Sequence, residues 1–309
     1  MNRVVAISGG IGGAKLALGL YKTLPPVALT VICNTGDDFE HLGLTVCPDI
    51  DTVTYTLAGL ANRTLGWGRE GETWAFMEAL KAIGGETWFR LGDGDLALHV
   101  ERTRRLAIGD SLSAITRDFA RSLGIRAAVL PMADTHVRTI VQTPEGPLPF
   151  QRYFVEQQCA PTVTGFDFDG ADKARLTPEV AAAVSDPDVS CIVICPSNPF
   201  ISIDPVLAVP GMVDALRAAP APVVAVSPLI GGDAVKGPTA KMMSELGLEL
   251  SNRTIAARYG AFLDGLIVNP GDEVEVDLPQ HATPTLMTTD AEKTAVAKEV
   301  LAFGARLAS

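Results

Sequence analysis

Apolar residues in this chain recur in short unbroken runs, each followed by a polar or glycine-rich segment. Val4-Val-Ala-Ile7, Leu29-Thr-Val-Ile-Cys33, Ala127-Ala-Val-Leu130, Cys191-Ile-Val-Ile-Cys195, Val223-Val-Ala-Val226 and Leu266-Ile-Val268 are the clearest. Runs without polar alternation read as strands covered on both faces, and nearly all of these end in a Pro, Asn or Asp loop. After the first, Leu16, Leu18, Leu20 and Leu24 begin an amphipathic helix that Pro25-Pro26 ends. Strand, glycine loop, helix and strand in that order predict an α/β fold with a Rossmann-like, mostly parallel, doubly wound sheet. Ligands of such sheets bind beyond the carboxyl ends of the strands.

Between the second and third of these strands the pattern turns helical, over Thr52 to Ala61, Thr73 to Ile83 and Ser111 to Leu123, with Gly84-Gly85 and Gly124 as stops. Residues 1–51 and 125–309 are therefore expected to form the nucleotide-binding core, and 52–124 a helical insertion over the sheet edge. Thr139 to Val155 alternate around Pro144-Glu-Gly146, which predicts a hairpin, and 156–188 read as an irregular excursion.

The composition, 47% hydrophobic and 20% charged, suffices for a large core, while no apolar run is long enough to span a bilayer. A mean hydropathy of +0.24 fits buried sheet. The formal charge of −11 argues against a nucleic-acid-binding face, so a phosphate-bearing ligand must be held locally. Five cysteines without a CxxC pair argue against a disulfide framework or a zinc ribbon and suit a cytoplasmic setting. Only four apolar residues stand between Arg3 and Ser8, which leaves no signal-peptide core.

Gly9, Gly10, Gly12 and Gly13 open the first helix, where a backbone without Cβ atoms can approach a phosphate and free N–H groups meet it. Lys15 adds a cation. The segment is not a P-loop, because Leu16 stands where that motif carries a hydroxyl, and Lys15 occupies the third glycine position of a dinucleotide fingerprint. A merely tight turn is the plainer alternative.

Asp37, Asp38, Asp49 and Asp51 follow the second strand, and Asp93 and Asp95 lie in a second loop, Leu91-Gly-Asp-Gly-Asp95. Carboxylates beside a phosphate site repel it unless a cation bridges them, and magnesium, which favours oxygen ligands, is the expected bridge. The alternatives are a helix N-cap at Asp51, a ribose contact at Asp37 or Asp38, and ordinary turn chemistry at Asp93 and Asp95. Arg90 is a candidate bidentate phosphate or carbonyl donor, or a solvated ion-pair partner. Ser197 and Asn198, in Cys195-Pro-Ser-Asn-Pro-Phe-Ile-Ser202, and the Ser227 to Pro238 loop suit recognition of a nucleobase or an anionic tail. His41 and His136 lack partners at metal-ligand spacing and are assigned no chemistry.

Ser8-Gly-Gly-Ile-Gly-Gly-Ala-Lys15, Asn34-Thr-Gly-Asp-Asp38, Pro48-Asp-Ile-Asp-Thr52, Arg90-Leu-Gly-Asp-Gly-Asp95, Ser197-Asn-Pro-Phe-Ile-Ser202 and Ser227-Pro-Leu-Ile-Gly-Gly232 together resemble the 2-phospho-L-lactate transferase family of coenzyme F420 biosynthesis. The resemblance runs from residue 1 to about 270 and implies a Rossmann-type homodimer. It also implies transfer of a phospho-acid group from a guanosine diphosphate-linked donor, made by a partner guanylyltransferase. The acceptor is the terminal ribitol hydroxyl of the deazaflavin Fo, and GMP is released with magnesium present. On that resemblance Gly10, Gly12, Gly13, Lys15, Ser197 and Asn198 lie near the donor nucleotide, Asp51 and Arg90 contact Fo, and Asp37 and Asp49 hold the metal. Gly94 departs from it, because a basic residue is expected there, and the donor acid (lactyl, enolpyruvyl or glyceryl) stays open.

In the expected mechanism Lys15 and the loop N–H groups stabilise developing charge, and Asp51 orients or deprotonates the attacking hydroxyl. Trp67, Trp74 and Trp88 are available for an apolar slot. Two rivals are a non-catalytic, YvcK-like nucleotide-sugar-binding regulator, which has less need of these carboxylates, and a nicotinamide oxidoreductase, which the missing third glycine disfavours.

Overall fold

A computed structural model describes residues 3–62, 64, 66–235 and 237–308; Met1, Asn2 and Lys236 of the segments discussed above lie outside them. The predicted parallel sheet is present, with seven strands: β1 (Arg3–Ser8), β2 (Leu29–Cys33), β3 (Ala128–Pro131), β4 (Val189–Ile194), β5 (Val223–Val226), β6 (Gly265–Val268) and β7 (Gln280–Ala282). They pair in the order β7-β6-β5-β4-β1-β2-β3, every neighbour parallel. The unbroken apolar runs are explained by burial on both faces. Val4 and Ala6 of β1 enter the core on one side of the sheet, and Val5 and Ile7 enter the core on the other.

From β1 the chain passes to β2 on one side, whereas β4 pairs with β1 on the other, so the order reverses between β1 and β4. At such a switch point the connections diverge and leave a crevice above the strand ends. The helix α1 (Gly10–Thr23) starts at this crevice. It packs along the long helix near the end of the chain, closely enough that a Cβ on Gly19 would stand 2.1 Å from the Lys293 carbonyl oxygen.

Beyond β2, residues 39–46 form a small hairpin, followed by α2 (Pro48–Ala58), α3 (Ala75–Ala82), α4 (Asp93–Ala107) and α5 (Leu112–Ser122). The segment Leu91-Gly-Asp-Gly-Asp95, expected to be a loop, is instead the entry to α4. Helix α2 begins at Pro48, earlier than the expected start at Thr52, so Asp49 and Asp51 both lie in its first turn. The excursion after β3 holds a three-stranded antiparallel sheet, in which Arg138–Gln142 lies between Leu148–Pro149 and Gly165–Asp169. The helix Pro178–Ser185 then leads into β4. Among the described residues no helix is long and apolar enough to cross a membrane.

Because the Gly19 contact is backbone to backbone, Gly19→Ala should destabilise the protein by about 1–3 kcal/mol, as overpacked cores generally do. Urea denaturation measures this, and an unchanged midpoint would show that α1 and its partner helix do not meet this closely.

Candidate active site

A cavity of about 680 Å³ lies over the carboxyl ends of β1 and β4. Its glycine turn owes its composition mainly to the neighbouring loop. A Cβ on Gly9 would stand 2.4 Å from Ser202 Cβ, one on Gly12 2.2 Å from the Pro196 carbonyl oxygen, and one on Gly13 2.4 Å from Ser8 Oγ. Gly10 is needed for a different reason, its φ of 64°. Ser197 fastens the two segments: its Oγ accepts from the Gly9 N–H at 3.2 Å and donates to the Gly9 carbonyl at 2.7 Å. Asn198 caps the following turn through the N–H groups of Phe200 and Ile201. Gly10, Gly12, Lys15, Ser197 and Asn198 line the cavity, whereas Gly13 sits behind them against Ser8 and is not part of its wall.

The carboxylates predicted after β2 converge on the mouth of α1. Asp49 Oδ1 accepts from the Gly10 N–H at 2.5 Å, and its Oδ2 accepts from Asn34 Nδ2 at 2.9 Å. The same Asn34 amide reaches Asp37 Oδ1 at 3.4 Å and the Ile201 carbonyl at 3.2 Å, so Asp37 and Asp49 are brought together as expected of a pair. Burial, then the charges of Asp49 and Asp38, push the Asp37 carboxyl well above the usual range. Burial raises Asp49 to about 6 against the hydrogen bonds from Asn34 and Gly10, and raises Asp38 to about 7 against the pull of Arg138. Asp38 does not reach the cavity, whereas Asp37 and Asp49 do. Two buried carboxylates that hold their protons this firmly are short of positive charge, and a hard divalent cation is what they fit.

Asp51 is not an N-cap, since that position is Cys47. Its two oxygens are gripped by Arg102 of α4, with Nη1 at 3.1 Å from Oδ2 and Nη2 on Oδ1. Burial opposes the charge of Arg102, but Asp51, joined by Cys47 and Asp38, more than offsets it and holds the guanidinium above its ordinary pKa. Asp95 accepts from the Tyr55 hydroxyl at 2.5 Å and has His99 Nε2 3.2 Å from its other oxygen. Burial alone would raise Asp95, yet the His99 contact and the Tyr55 hydrogen bond leave it below the usual carboxylate range. Asp51, Asp95 and His99 present ligand atoms within 4.8 Å of one another, but the Arg102 charge already stands there. Asp93 turns away from the cavity and caps α3, accepting from Ala75 N, Phe76 N and Thr73 Oγ1.

Aromatic residues form the wall that follows β2 and β3. Trp67, Trp88, Phe89, Phe150 and Phe154 line it, with Phe150 and Phe154 stacked at 5.2 Å. Arg90, exposed at the rim, lies 4.1 Å over Trp74, which itself supports Trp67 edge-on. Trp74 is not part of the wall, so it serves through those two neighbours. The opposite wall follows β5 and β7: Ser227, Pro228 and Ile230 face Thr285, Leu286 and Met287. Beside Gly94, Arg69 Nη1 donates to its carbonyl at 3.4 Å and would stand 2.9 Å from a Cβ there. His41 packs against Trp88 and Phe89, and His136 pairs with Asp169 at 3.1 Å; neither lines the cavity.

Sequence reading missed Tyr55, His99, Arg102, Phe150, Phe154 and the 285–287 segment. A signal existed for the first three. Asp51 with Tyr55, and Asp95 with His99 and Arg102, stand at the four- and three-residue intervals that share a helix face.

The profile described as 2-phospho-L-lactate transferase CofD matches residues 4–303. A phosphoenolpyruvate transferase of Kitasatospora aureofaciens is 42% identical, with 97% of each chain aligned. Another of that name, from Streptomyces griseus, is 40% identical, with 95% of each chain aligned. A crystal structure of a UPF0052 family protein from Bacillus halodurans superposes over 97% of this chain and 98% of its own, with a TM-score of 0.61 at 16% identity, a likeness of fold. From a profile that spans nearly the whole chain and relatives similar from end to end, the chain belongs to the 2-phospho-L-lactate transferase CofD family, whose members are transferases.

Proposed function

We propose that this protein moves a phospho-acid group from a guanosine diphosphate-linked donor to the terminal ribitol hydroxyl of the deazaflavin Fo, releasing GMP, in coenzyme F420 biosynthesis. The names of its relatives favour enolpyruvate as the acid. The observation that carries the reading is the pairing, in one cavity, of a helix N-terminus beside buried carboxylates with a wall of aromatic rings. The first suits a diphosphate and its cation, the second a flat heteroaromatic ring. The protein is read as a cytoplasmic homodimer supplied with donor by a guanylyltransferase.

Asp37 and Asp49 would hold a magnesium ion, whose charge neutralises the diphosphate. Lys15 and those amides of the glycine turn not already given to Ser197 and Asp49 bind the phosphates, where the positive end of α1 adds to their field. Asp51 orients the acceptor hydroxyl. Arg102 grips both of its oxygens and so fixes the carboxylate in place for that orientation. The hydroxyl oxygen bonds to phosphorus and its proton passes to the departing GMP phosphate as the bond to GMP breaks, and positioning with charge neutralisation provides most of the acceleration.

Mass spectrometry tests the reaction. Incubation with Fo, GTP, magnesium, the guanylyltransferase and each phospho-acid in turn should yield an Fo adduct, with enolpyruvate the preferred acid. No adduct from any of the acids would end the proposal. In the same assay Asp37→Asn should slow transfer by about 10²- to 10³-fold, the usual cost of losing one charge-stabilising contact in the transition state.

The carboxylates also set a pH dependence. Asp49 at about 6 and Asp38 at about 7 bind protons more tightly folded than unfolded, where carboxyls titrate near 4. Their contribution to stability is therefore fullest at low pH and is lost as pH rises through 6 and 7. In EDTA, the melting temperature should fall by several degrees from pH 5 to pH 8. Magnesium should restore most of that fall at pH 8 and little at pH 5. Magnesium protection equal at both pH values would separate the ion from these carboxylates.

A further inference from the structure

Helices α2 and α4 meet along a polar seam at the cavity wall. α2 contributes Asp51 and Tyr55; α4 contributes Asp95, His99 and Arg102. Tyr55 is 2% exposed yet faces the cavity, and its single hydroxyl proton goes to Asp95 Oδ1 at 2.5 Å. Arginine has no lone pair to offer, so in the 3.2 Å contact between Arg102 Nη1 and His99 Nδ1 the imidazole nitrogen accepts. The neutral His99 then carries its proton on Nε2, 3.2 Å from Asp95 Oδ2. Tyr55 and Arg102 thus aim their protons at protein atoms, the His99 Nε2 proton is shut away from the cavity beside Asp95, and Asp51, Tyr55 and Asp95 have lone pairs left for the cavity. Two carboxylates against one guanidinium also leave the seam negative, which turns phosphates away and admits hydroxyl groups.

We propose that Tyr55 and Asp95 form, with Asp51, a wall that only accepts hydrogen bonds and so selects a polyol chain on the acceptor. His99 and Arg102 are positioning residues that fix its proton directions. The inference rests on the reading of the acceptor as a ribitol-bearing deazaflavin. It adds Tyr55 and Asp95 as specificity-determining residues.

Fluorescence titration of the full-length protein with two ligands tests it: Fo, and the same ring carrying a methyl group in place of the ribitol. Tyr55→Phe, which keeps the ring and removes the accepting oxygen, should weaken Fo about three- to tenfold, the worth of one hydrogen bond, and leave the methyl analogue unchanged. His99→Leu should weaken Fo selectively as well, and His99→Gln, whose amide can still donate to Asp95, should recover most of that loss. A Tyr55→Phe protein that binds Fo like the wild type, or loses both ligands equally, overturns the assignment while leaving the transferase reading intact. Wild-type protein that binds neither ligand overturns the acceptor reading itself, and the assignment with it.

Discussion

The hydrogen bond from the Gly10 amide to Asp49 ties the first turn of α2 to the first turn of α1 across the switch point of the sheet. Asn34, at the end of β2, holds the other oxygen of the same carboxylate and reaches the Ile201 carbonyl of the loop after β4. Two side chains, Asp49 and Asn34, thus join the ends of β1, β2 and β4. Were this knot absent, α2 would have no fixed register against the glycine turn. Asp51 and Tyr55, two and six residues further along that helix, would lose their place at the cavity.

The knot also bears on how a protein with a formal charge of −11 accepts the proposed phosphate ligand. Its negative charge is sorted by local chemistry. The pair at Asp37 and Asp49 is buried with only amide donors for company, and so calls for a cation. Asp51 has an internal cation in Arg102, and Asp93 is spent on capping a helix. Carboxylates that read alike along the chain therefore differ in role because their donors differ.

What was legible in the sequence follows the same division. The sheet could be read because strands buried on both faces have to be apolar at every position, as Cys191 to Cys195 are. Edge strand β7 could not, since Gln280-His281-Ala282 has no such run and is held through its backbone pairing to Leu266–Val268. Helix α4 was hidden by its own start. Gly92-Asp-Gly-Asp95 has turn composition, and Glu72 stabilises it as a helix entry by accepting the amides of Gly94 and Asp95 from 22 and 23 residues away. The glycine turn was visible, but its cause was only partly so: a sequence shows that a Cβ is missing, not whether phosphate or the Pro196 carbonyl takes the space. The spacing of the seam was visible, but its role was not. Polar residues four apart are ordinary on a solvated helix, and only the docking of α4 onto α2 turns His99 and Arg102 inward, where each is 1% exposed.

That docking changes how Asp51 should be understood. A carboxylate next to a reacting hydroxyl invites the role of general base, and isolated in an apolar cavity it would have the raised pKa that the role needs. Arg102 instead holds both oxygens in fixed places, and Asp95 is held by the Tyr55 hydroxyl with His99 Nε2 3.2 Å from its other oxygen. The wall is built to hold its carboxylates in fixed orientations. A transfer whose transition state gathers charge on phosphate oxygens gains little from a strong base and much from a fixed line of attack. In the proposed reaction a wall of immobile acceptors provides that line for the hydroxyl, while the phosphates are drawn to the positive end of α1 at the glycine turn.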